Sequence, residues 1–126
     1  MIPDKKEIID IIQNNMTDNL ICRALEMRPE EITKFICGLA NVEGGYVLIG
    51  VERDNGVLKV KGFQLAFDTK TVMDDVSKKL KGKILFEYGH IYVLTKNVFA
   101  IKVEKAEQNI LIDDMCYCYK NNSIEV

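Results

Sequence analysis

Apolar residues recur at helical spacing in three stretches of the chain, and each stretch predicts an amphipathic helix. The first begins at Pro3 and Asp4, with Glu7 placed as in a capping box, and its apolar stripe ends near Asn14. The second begins at Pro29 and runs to about Asn41. The third begins at Asp68 or Thr69 and ends at Gly82, with an apolar face formed by Val72, Met73, Val76 and Leu80.

Short β-branched and aromatic runs predict strands between and after these helices. Tyr46–Glu52 reads as a buried strand, and Asn55-Gly56 predicts a tight turn into a returning strand, Val57–Val60. A second hairpin is expected from Ile84–Tyr88 and Ile91–Leu94, with Gly89-His90 as its turn and His90 on the surface. Further strands are predicted at Val98–Val103 and, as a last pair, at Ile110–Ile112 and Met115–Lys120.

The segment from Leu20 to Cys22 fits either a short strand or the start of a helix through Leu25. Hairpins rather than regular strand–helix–strand units predict an α+β fold with a mixed, mostly antiparallel sheet and about three helices. We expect a single domain over residues 1–126, with residues 1–20 as an N-terminal helical extension and residues 21–126 as the core.

Charge and composition narrow the functional classes. The 126 residues carry 17 Lys and Arg against 19 Asp and Glu, a net charge of -2, which argues against a strongly basic nucleic-acid binder but allows a local basic patch. No apolar run approaches the roughly 20 residues that span a bilayer, and the N-terminus lacks the apolar core of a signal peptide. We therefore expect a cytoplasmic protein without a membrane partner.

Four cysteines are expected to be reduced in that compartment. Cys116 and Cys118 share a strand face and could supply two metal ligands, but only Cys22, Cys37 and His90 remain as distant partners. We expect no metal and no cofactor, while the spacing leaves a metal or redox role of the pair open.

The most specific motif is the stretch from Asn41 to Val51, in which Asn-x-x-Gly-Gly leads directly into an apolar strand. Together with Asn55-Gly56 and Gly62, this block resembles the signature of the Schlafen/Alba-like family of DNA-binding domains. The resemblance is close over residues 30–62, and the segment 116–123 is similar to the tyrosine-x-arginine-x-x-serine segment that closes that family's domain.

The resemblance implies an α+β domain around an antiparallel sheet and an association with DNA or RNA, often in bacterial regulators. Some Schlafen-type members are RNA endonucleases, with two acids of their carboxylate cluster in a Glu-Ser-x-x-x-Glu-Phe-Lys motif. Here Met16 and Ile21 stand at the glutamate positions, Thr17 at the serine and Arg23 at the lysine. Met and Ile cannot hold a hard cation or activate water, so we expect no nuclease activity and no catalytic residues.

Each candidate binding residue has a structural and a functional interpretation. Gly44 and Gly45 either end a helix or let a phosphate approach bare N–H groups, and Asn41 either caps that helix or presents its amide to a ligand. The densest positive cluster, formed by the lysines at positions 78, 79, 81 and 83, is either a solvated helix end or a phosphate-binding patch. Arg23, Arg53, Lys59 and Lys61 extend that patch if the fold brings them together. The candidate nucleic-acid-binding residues are Arg23, Asn41, Gly44, Gly45, Arg53, Lys78, Lys79, Lys81 and Lys83.

Three hypotheses follow from these observations. The first is a non-catalytic nucleic-acid-binding domain, a bacterial regulator or part of one. The second is a protein–protein interaction or oligomerisation module, with a possible homodimer through an edge strand near Met115–Tyr119. In that segment Tyr117 and Tyr119 share a strand face, and they either stack on bases, as the first hypothesis requires, or are half-buried residues of the sheet. The third is a divergent metal-dependent RNA endonuclease that uses Glu52 and Asp54.

Overall fold

Three helices and eight strands make up the described part of the fold. The computed structural model describes residues 3–16, 18–26, 28–63, 68–120 and 123–126. In chain order the elements are α1 (Lys5–Gln13), β1 (Leu20–Arg23), α2 (Pro29–Ala40), β2 (Gly45–Ile49), β3 (Val51–Asp54), β4 (Val57–Val60), α3 (Thr69–Lys79), β5 (Phe86–Val93), β6 (Lys96–Val103), β7 (Cys118–Lys120) and β8 (Ser123–Glu125). The predicted α+β class with three helices is confirmed.

A four-stranded sheet in the order β1-β2-β6-β5 lies at the centre. β1 and β2 run parallel, whereas β2 pairs with β6, and β5 with β6, in antiparallel register. The pairs β3–β4 and β7–β8 form two separate two-stranded sheets. Of the two interpretations left open for Leu20–Cys22, the strand is therefore correct.

Both faces of the central sheet are covered, which explains why its middle strands are almost continuously apolar. Side chains alternate between two cores, so Val47 and Ile49 pack with α2 and α3, while Leu48 packs with α1 and the β3–β4 hairpin. Ile8, Ile11 and Ile12 place α1 in the second core. The predicted boundary between residues 20 and 21 stays a prediction.

The glycine turn after α2 is required by close backbone approaches on both sides. Gly44 has φ 78°, and a Cβ there would lie 2.6 Å from the carbonyl O of Val103. A Cβ on Gly45 would collide with the backbone of Asn19. Only glycine fits at these two positions, because L side chains both avoid this φ region and have no space here.

Gly50 separates two strands that the sequence predicted as one run from Tyr46 to Glu52. It has φ 99°, its N–H donates to the Arg23 carbonyl at 2.8 Å, and its carbonyl accepts from Gly62 N–H at 2.8 Å. The chain reverses there, so β3 returns alongside β1. The Asn55-Gly56 turn joins β3 to β4 as predicted, with Asp54 opposite Val57.

The second predicted hairpin is correct in existence but wrong in position. Gly89 and His90 lie inside β5, and the turn falls at Leu94 and Thr95, whose φ angles are 52° and 64°. His90 is half-buried rather than a surface turn residue, since its ring lies 5.1 Å from the Phe99 ring and its Nδ1 bonds to Asn97 Oδ1 at 3.1 Å. A Gly-His pair gives a turn signal, but these tertiary contacts decide for a strand.

The chain end differs from the predicted pairing of Ile110–Ile112 with Met115–Lys120. Only Ile112 and Met115 form a bridge, whereas Cys118–Lys120 pairs with β8, which the sequence did not predict. Asn121 and Asn122 of the predicted tail motif, and Thr17 of the upstream motif, lie outside the described residues. Within the described part of the chain, no helix has the length and apolar character needed to cross a membrane.

Candidate functional site

A cavity of about 520 Å³ lies where β1, β3 and the β7–β8 hairpin meet. We call it the arginine cavity, because Arg23 and Arg53 both contribute to its wall. Its other polar lining groups are Cys22, Glu52, Asp54, Tyr119 and Ser123. Two predicted binding residues that are 30 positions apart in the sequence therefore share one concave site.

Arg23 is the last residue of β1, and its guanidinium is held from two sides. Its Nη1 donates to the Cys22 carbonyl at 2.8 Å, and its Cζ lies 4.9 Å from the centre of the Phe35 ring. Phe35 belongs to the core and is only 4% exposed. A cation over a fixed aromatic face loses little further freedom when it binds an anion.

Arg53 enters the same cavity because β3 runs back beside β1. Its Nη2 donates to the Leu20 carbonyl at 2.9 Å. The same carbonyl accepts the Tyr119 hydroxyl at 3.2 Å. One backbone oxygen of a residue that is 2% exposed thus orients both a cation and an aromatic ring of the wall.

Two carboxylates line the cavity, and they are paired with one lysine in β4 and one directly after it. Asp54 Oδ2 lies 2.9 Å from Lys59 Nζ, and Glu52 Oε2 lies 3.9 Å from Lys61 Nζ. The Lys59 ammonium, through its hydrogen bond and its charge, holds the pKa of Asp54 below its ordinary value. The lining therefore carries two guanidinium groups and two carboxylates, and the two neighbouring lysines offset part of the carboxylate charge.

Cys22 stays protonated in this site at neutral pH. Burial raises the pKa of its thiol from 9.0 to about 11, although the nearby Arg53 and Arg23 charges act in the opposite direction. A neutral thiol does not compete with an external anion for the arginines.

Asn41 is the C-cap of α2, which is the first of its two predicted roles. Its side-chain amide also binds the C-terminal segment of the chain. The Asn41 Oδ1 accepts from Ile110 N–H at 2.7 Å, and the Nδ2 donates to the carbonyls of Ile110 at 2.9 Å and Tyr117 at 2.8 Å. These bonds place the segment that leads into β7 against α2. Asn41 is not in the wall of the arginine cavity.

The Gly44-Gly45 turn borders a different cavity of about 360 Å³. Gly44 N–H already donates to the Leu39 carbonyl at 2.8 Å. The surrounding side chains include Asp18, Glu43 and Glu104 as well as Lys102 and Lys105. Lys105 is paired with Glu43 at 3.4 Å and Lys102 with Glu7 at 3.3 Å, so this site offers an anion few uncommitted charges.

The four predicted lysines are distributed around the end of α3. Lys78 and Lys79 lie in its last turn, where cations suit the helix dipole, and Lys79 Nζ lies 3.8 Å from Asp75. Lys81 pairs through its backbone with Leu111, and Lys83 lines a third cavity of about 240 Å³. None of the four contributes to the wall of the arginine cavity.

The cysteines are free thiols, and two of them meet at the amide of Asn41. Its Nδ2 lies 3.5 Å from Cys37 Sγ and 3.4 Å from Cys116 Sγ. Desolvation raises the pKa of both thiols. Across the described ranges, no three His, Cys, Asp or Glu side chains are arranged to hold a metal ion.

The two positions aligned with nuclease glutamates have different surroundings. Ile21 is 4% exposed, packs in the core beneath the sheet and also lines the arginine cavity. Met16 lies after α1 and is 52% exposed.

Sequence reasoning missed the backbone contributions to this site. The Leu20 carbonyl gave no signal, because a carbonyl is present in every residue. Ser123 belonged to the tail segment that resembles the family, but neither strand β8 nor its place at the cavity was predicted. Tyr119 and the two acids were recognisable candidates, since aromatic and charged residues stood near the predicted turn and tail.

The fold and the site define an α+β domain with a helix-covered sheet and a cavity lined by two arginines at its edge. The family model described as "Schlafen, AlbA_2" matches residues 4–125, so the chain belongs to this family and the resemblance seen in the Asn41–Val51 block is confirmed.

Solved structures show the same fold at low sequence identity. The DIP2311 protein of Corynebacterium diphtheriae superposes with a TM-score of 0.68 at 17% identity over 96% of this chain, which spans 26% of the DIP2311 chain. The N-terminal domain of a RecG-related protein from Nitrosomonas europaea, named after an ATP-dependent DNA helicase, gives a TM-score of 0.56 at 22% identity. That match covers 79% of this chain and 73% of the other.

Proposed function

We propose that this chain is a non-catalytic nucleic-acid-binding domain in which the arginine cavity receives a phosphate of DNA or RNA. The observation that carries the proposal is the convergence of Arg23 and Arg53 on one cavity, each held in place by a backbone carbonyl. Guanidinium groups that are already oriented bind phosphate with paired, charge-assisted hydrogen bonds.

The local charge balance supports binding despite the net charge of -2. The acids of the cavity are paired with Lys59 and Lys61, which offsets part of their repulsion of a phosphate that meets the two guanidinium groups. Phosphate contacts supply most of the affinity of sequence-independent nucleic-acid binding. Two oriented guanidinium groups whose neighbouring acids are paired are therefore sufficient for weak binding to either nucleic acid.

The absence of catalysis is part of the proposal. Apolar Ile21 and Met16 stand where nuclease relatives carry glutamates, and Glu52 and Asp54 are paired with lysines. Hydrolysis of a phosphodiester by a metal ion needs anionic oxygens grouped around the cation.

The comparisons support the wider biological role that we propose. Membership of the Schlafen, AlbA_2 family and the similarity to a domain of a RecG-related protein agree with a nucleic-acid-related unit. Because this chain spans about a quarter of the DIP2311 chain, we propose that such units work within larger bacterial regulators. The cytoplasm is the proposed compartment, and the four free thiols suit its reducing conditions.

Fluorescence anisotropy with labelled DNA and RNA across a salt series tests this function. Arg23→Ala and Arg53→Ala are each expected to weaken binding about 10-fold and to flatten the salt slope by roughly one unit. The matched control is Lys70→Ala, which removes an exposed lysine paired with Asp74 on α3 and is expected to change affinity less than 2-fold. Absence of binding at low salt, or equal losses in all three variants, contradicts the proposal.

A cleavage assay tests the non-catalytic part separately. Labelled RNA and DNA incubated with Mg²⁺ or Mn²⁺ are expected to remain intact. Metal-dependent cleavage that Glu52→Gln and Asp54→Asn abolish would instead establish the divergent nuclease.

A further inference from the structure

We infer that the arginine cavity takes one unpaired nucleotide, so that single strands bind better than duplexes. This inference rests on the proposed function and names the ligand class of the same site. Its three supports are the size of the cavity, the mixed charge of its lining and the aromatic ring in its wall.

The size of the cavity suits a small group rather than a double helix. About 520 Å³ lies within the range of roughly 300–1,000 Å³ that is usual for small-ligand pockets. β1, β3 and the β7–β8 hairpin form walls around it, and Arg53 is tied to a carbonyl of the nearly buried Leu20. A duplex presents its phosphates on a convex surface and would meet these walls before the recessed guanidinium, whereas a single strand can place one nucleotide inside.

The mixed charge of the lining favours an unpaired nucleotide as well. Glu52 and Asp54 place carboxylate oxygens in the lining, and such oxygens accept hydrogen bonds from N–H groups. The Watson–Crick edge of an unpaired base offers such N–H groups, and in a duplex these groups are already used. The arginines then bind the phosphate while the carboxylates contact the base or the sugar.

The Tyr119 ring lies in the cavity wall, and its hydroxyl and the packing of its hairpin fix its position. The Tyr119 hydroxyl donates to the Leu20 carbonyl at 3.2 Å, and the β7–β8 hairpin that carries the ring packs closely on α2. At Gly38 of α2 a Cβ would lie 3.3 Å from Tyr119 N, so the approach is near the contact limit. Stacking on an oriented ring tolerates any base, but the base must first be unstacked from its neighbours.

The first experiment compares one sequence as a labelled 12-nucleotide single strand and as a blunt duplex, in DNA and in RNA, by anisotropy at low salt. We expect the single strand to bind at least 10-fold more tightly than the duplex. Equal or tighter binding of the duplex overturns this inference and leaves the proposed function standing. If neither form binds, the proposed function fails together with the inference.

A tyrosine substitution tests the aromatic contribution with a matched control. Tyr119→Leu retains an apolar side chain but removes the ring, and it is expected to weaken single-strand binding about 5- to 10-fold. Tyr92→Leu removes a 52% exposed tyrosine from β5, outside the cavity, and is expected to change affinity less than 2-fold.

A further variant separates the loss of base stacking by the Tyr119 ring from a loss of packing in the folded protein. Tyr119→Phe keeps the ring without the Leu20 hydrogen bond, and it is expected to retain most of the affinity that Tyr119→Leu loses. Circular dichroism and thermal melting verify that each variant is folded. An equal loss for Tyr119→Leu and Tyr119→Phe, or no loss for either, contradicts stacking on this ring.

Discussion

Two groups of positively charged residues in this chain differ in how the fold arranges them. Lys78, Lys79, Lys81 and Lys83 are close in sequence, but they spread over the end of α3 and its exit. Arg23 and Arg53 are distant in sequence, and yet both line one cavity with their guanidinium groups fixed by backbone carbonyls. Density of charge in the sequence therefore did not predict which cations share a concave surface, which depends on how the strands that carry them pack.

The largest effect is expected from a substitution of Asn41, which lies outside the arginine cavity but holds one of its walls in place. Asn41→Ala removes the partners of Ile110 N–H and of the Ile110 and Tyr117 carbonyls, which hold the chain end on α2. We expect a loss of about 2–4 kcal/mol in the free energy of unfolding, measured by urea denaturation. Affinity for a single strand is expected to fall as well, because the hairpin carrying Tyr119 is no longer held.

Asn41→Asp is the control for this prediction. It keeps an oxygen that accepts from Ile110 N–H but loses both amide donor bonds, so its stability should lie at or below that of the wild type. Its affinity for a single strand should fall to the extent that the hairpin carrying Tyr119 is released from α2. A loss below about 0.5 kcal/mol in Asn41→Ala would show that this amide does not secure the chain end.

An alkaline titration tests whether the thiol beside the arginines is as buried as the structure shows. The Cys22 pKa is raised from 9.0 to about 11, so above pH 9 the unfolded chain loses this proton while the folded chain retains it. Stability from this group is complete below pH 9 and is lost as the pH rises toward 11, by up to about 2.7 kcal/mol.

Denaturation curves at pH 8, 9, 10 and 11 measure this difference. Cys22→Ala removes the titrating group, so its stability should decline less over this interval than that of the wild type. Parallel declines in the two proteins would mean that the thiol titrates alike in the folded and unfolded chains.

A smaller effect sharpens the role of the lysines that face the acids of the cavity. Lys59→Ala leaves Asp54 without its 2.9 Å partner, and the released carboxylate then opposes phosphate binding. We expect affinity to fall about 2- to 3-fold, as for a partly screened surface charge. Restoration of affinity in the double variant Lys59→Ala with Asp54→Asn would identify the carboxylate as the cause, and its failure would contradict this explanation.

The smallest effect is expected at the other group of cations. Lys78→Ala combined with Lys81→Ala should change affinity less than 2-fold, since neither side chain lines the arginine cavity. Anisotropy under the same conditions as for the arginine variants measures it. A loss of more than 5-fold would reverse the comparison and make the end of α3 a phosphate-binding patch.

Local sequence patterns correctly predicted the turns and helix ends that depend on the conformational preferences of a few adjacent residues. Asn55-Gly56 gives a tight hairpin because both residues tolerate positive φ, and they have φ 51° and 80°. Asp68 caps α3 by accepting from Thr71 N–H at 3.1 Å, as a residue of its type does at a helix start. Leu94 and Thr95 show where this reasoning fails, because neither is a turn residue and their turn follows from the pairing of β5 with β6.

The sequence alone determined the family, the fold class and the glycine turn. These depend on contiguous residues, above all Gly44 and Gly45, whose backbone conformations and lack of Cβ have no substitute. Only the tertiary structure brought together the residues of the arginine cavity. The parallel pairing of β1 with β2 and the chain reversal at Gly50 bring Arg53 to the Leu20 carbonyl beside Arg23, and the Asn41 bonds bring Tyr119 to the same oxygen. Contacts between residues 30 to 100 positions apart depend on how whole elements pack, and no local pattern in the chain encodes them.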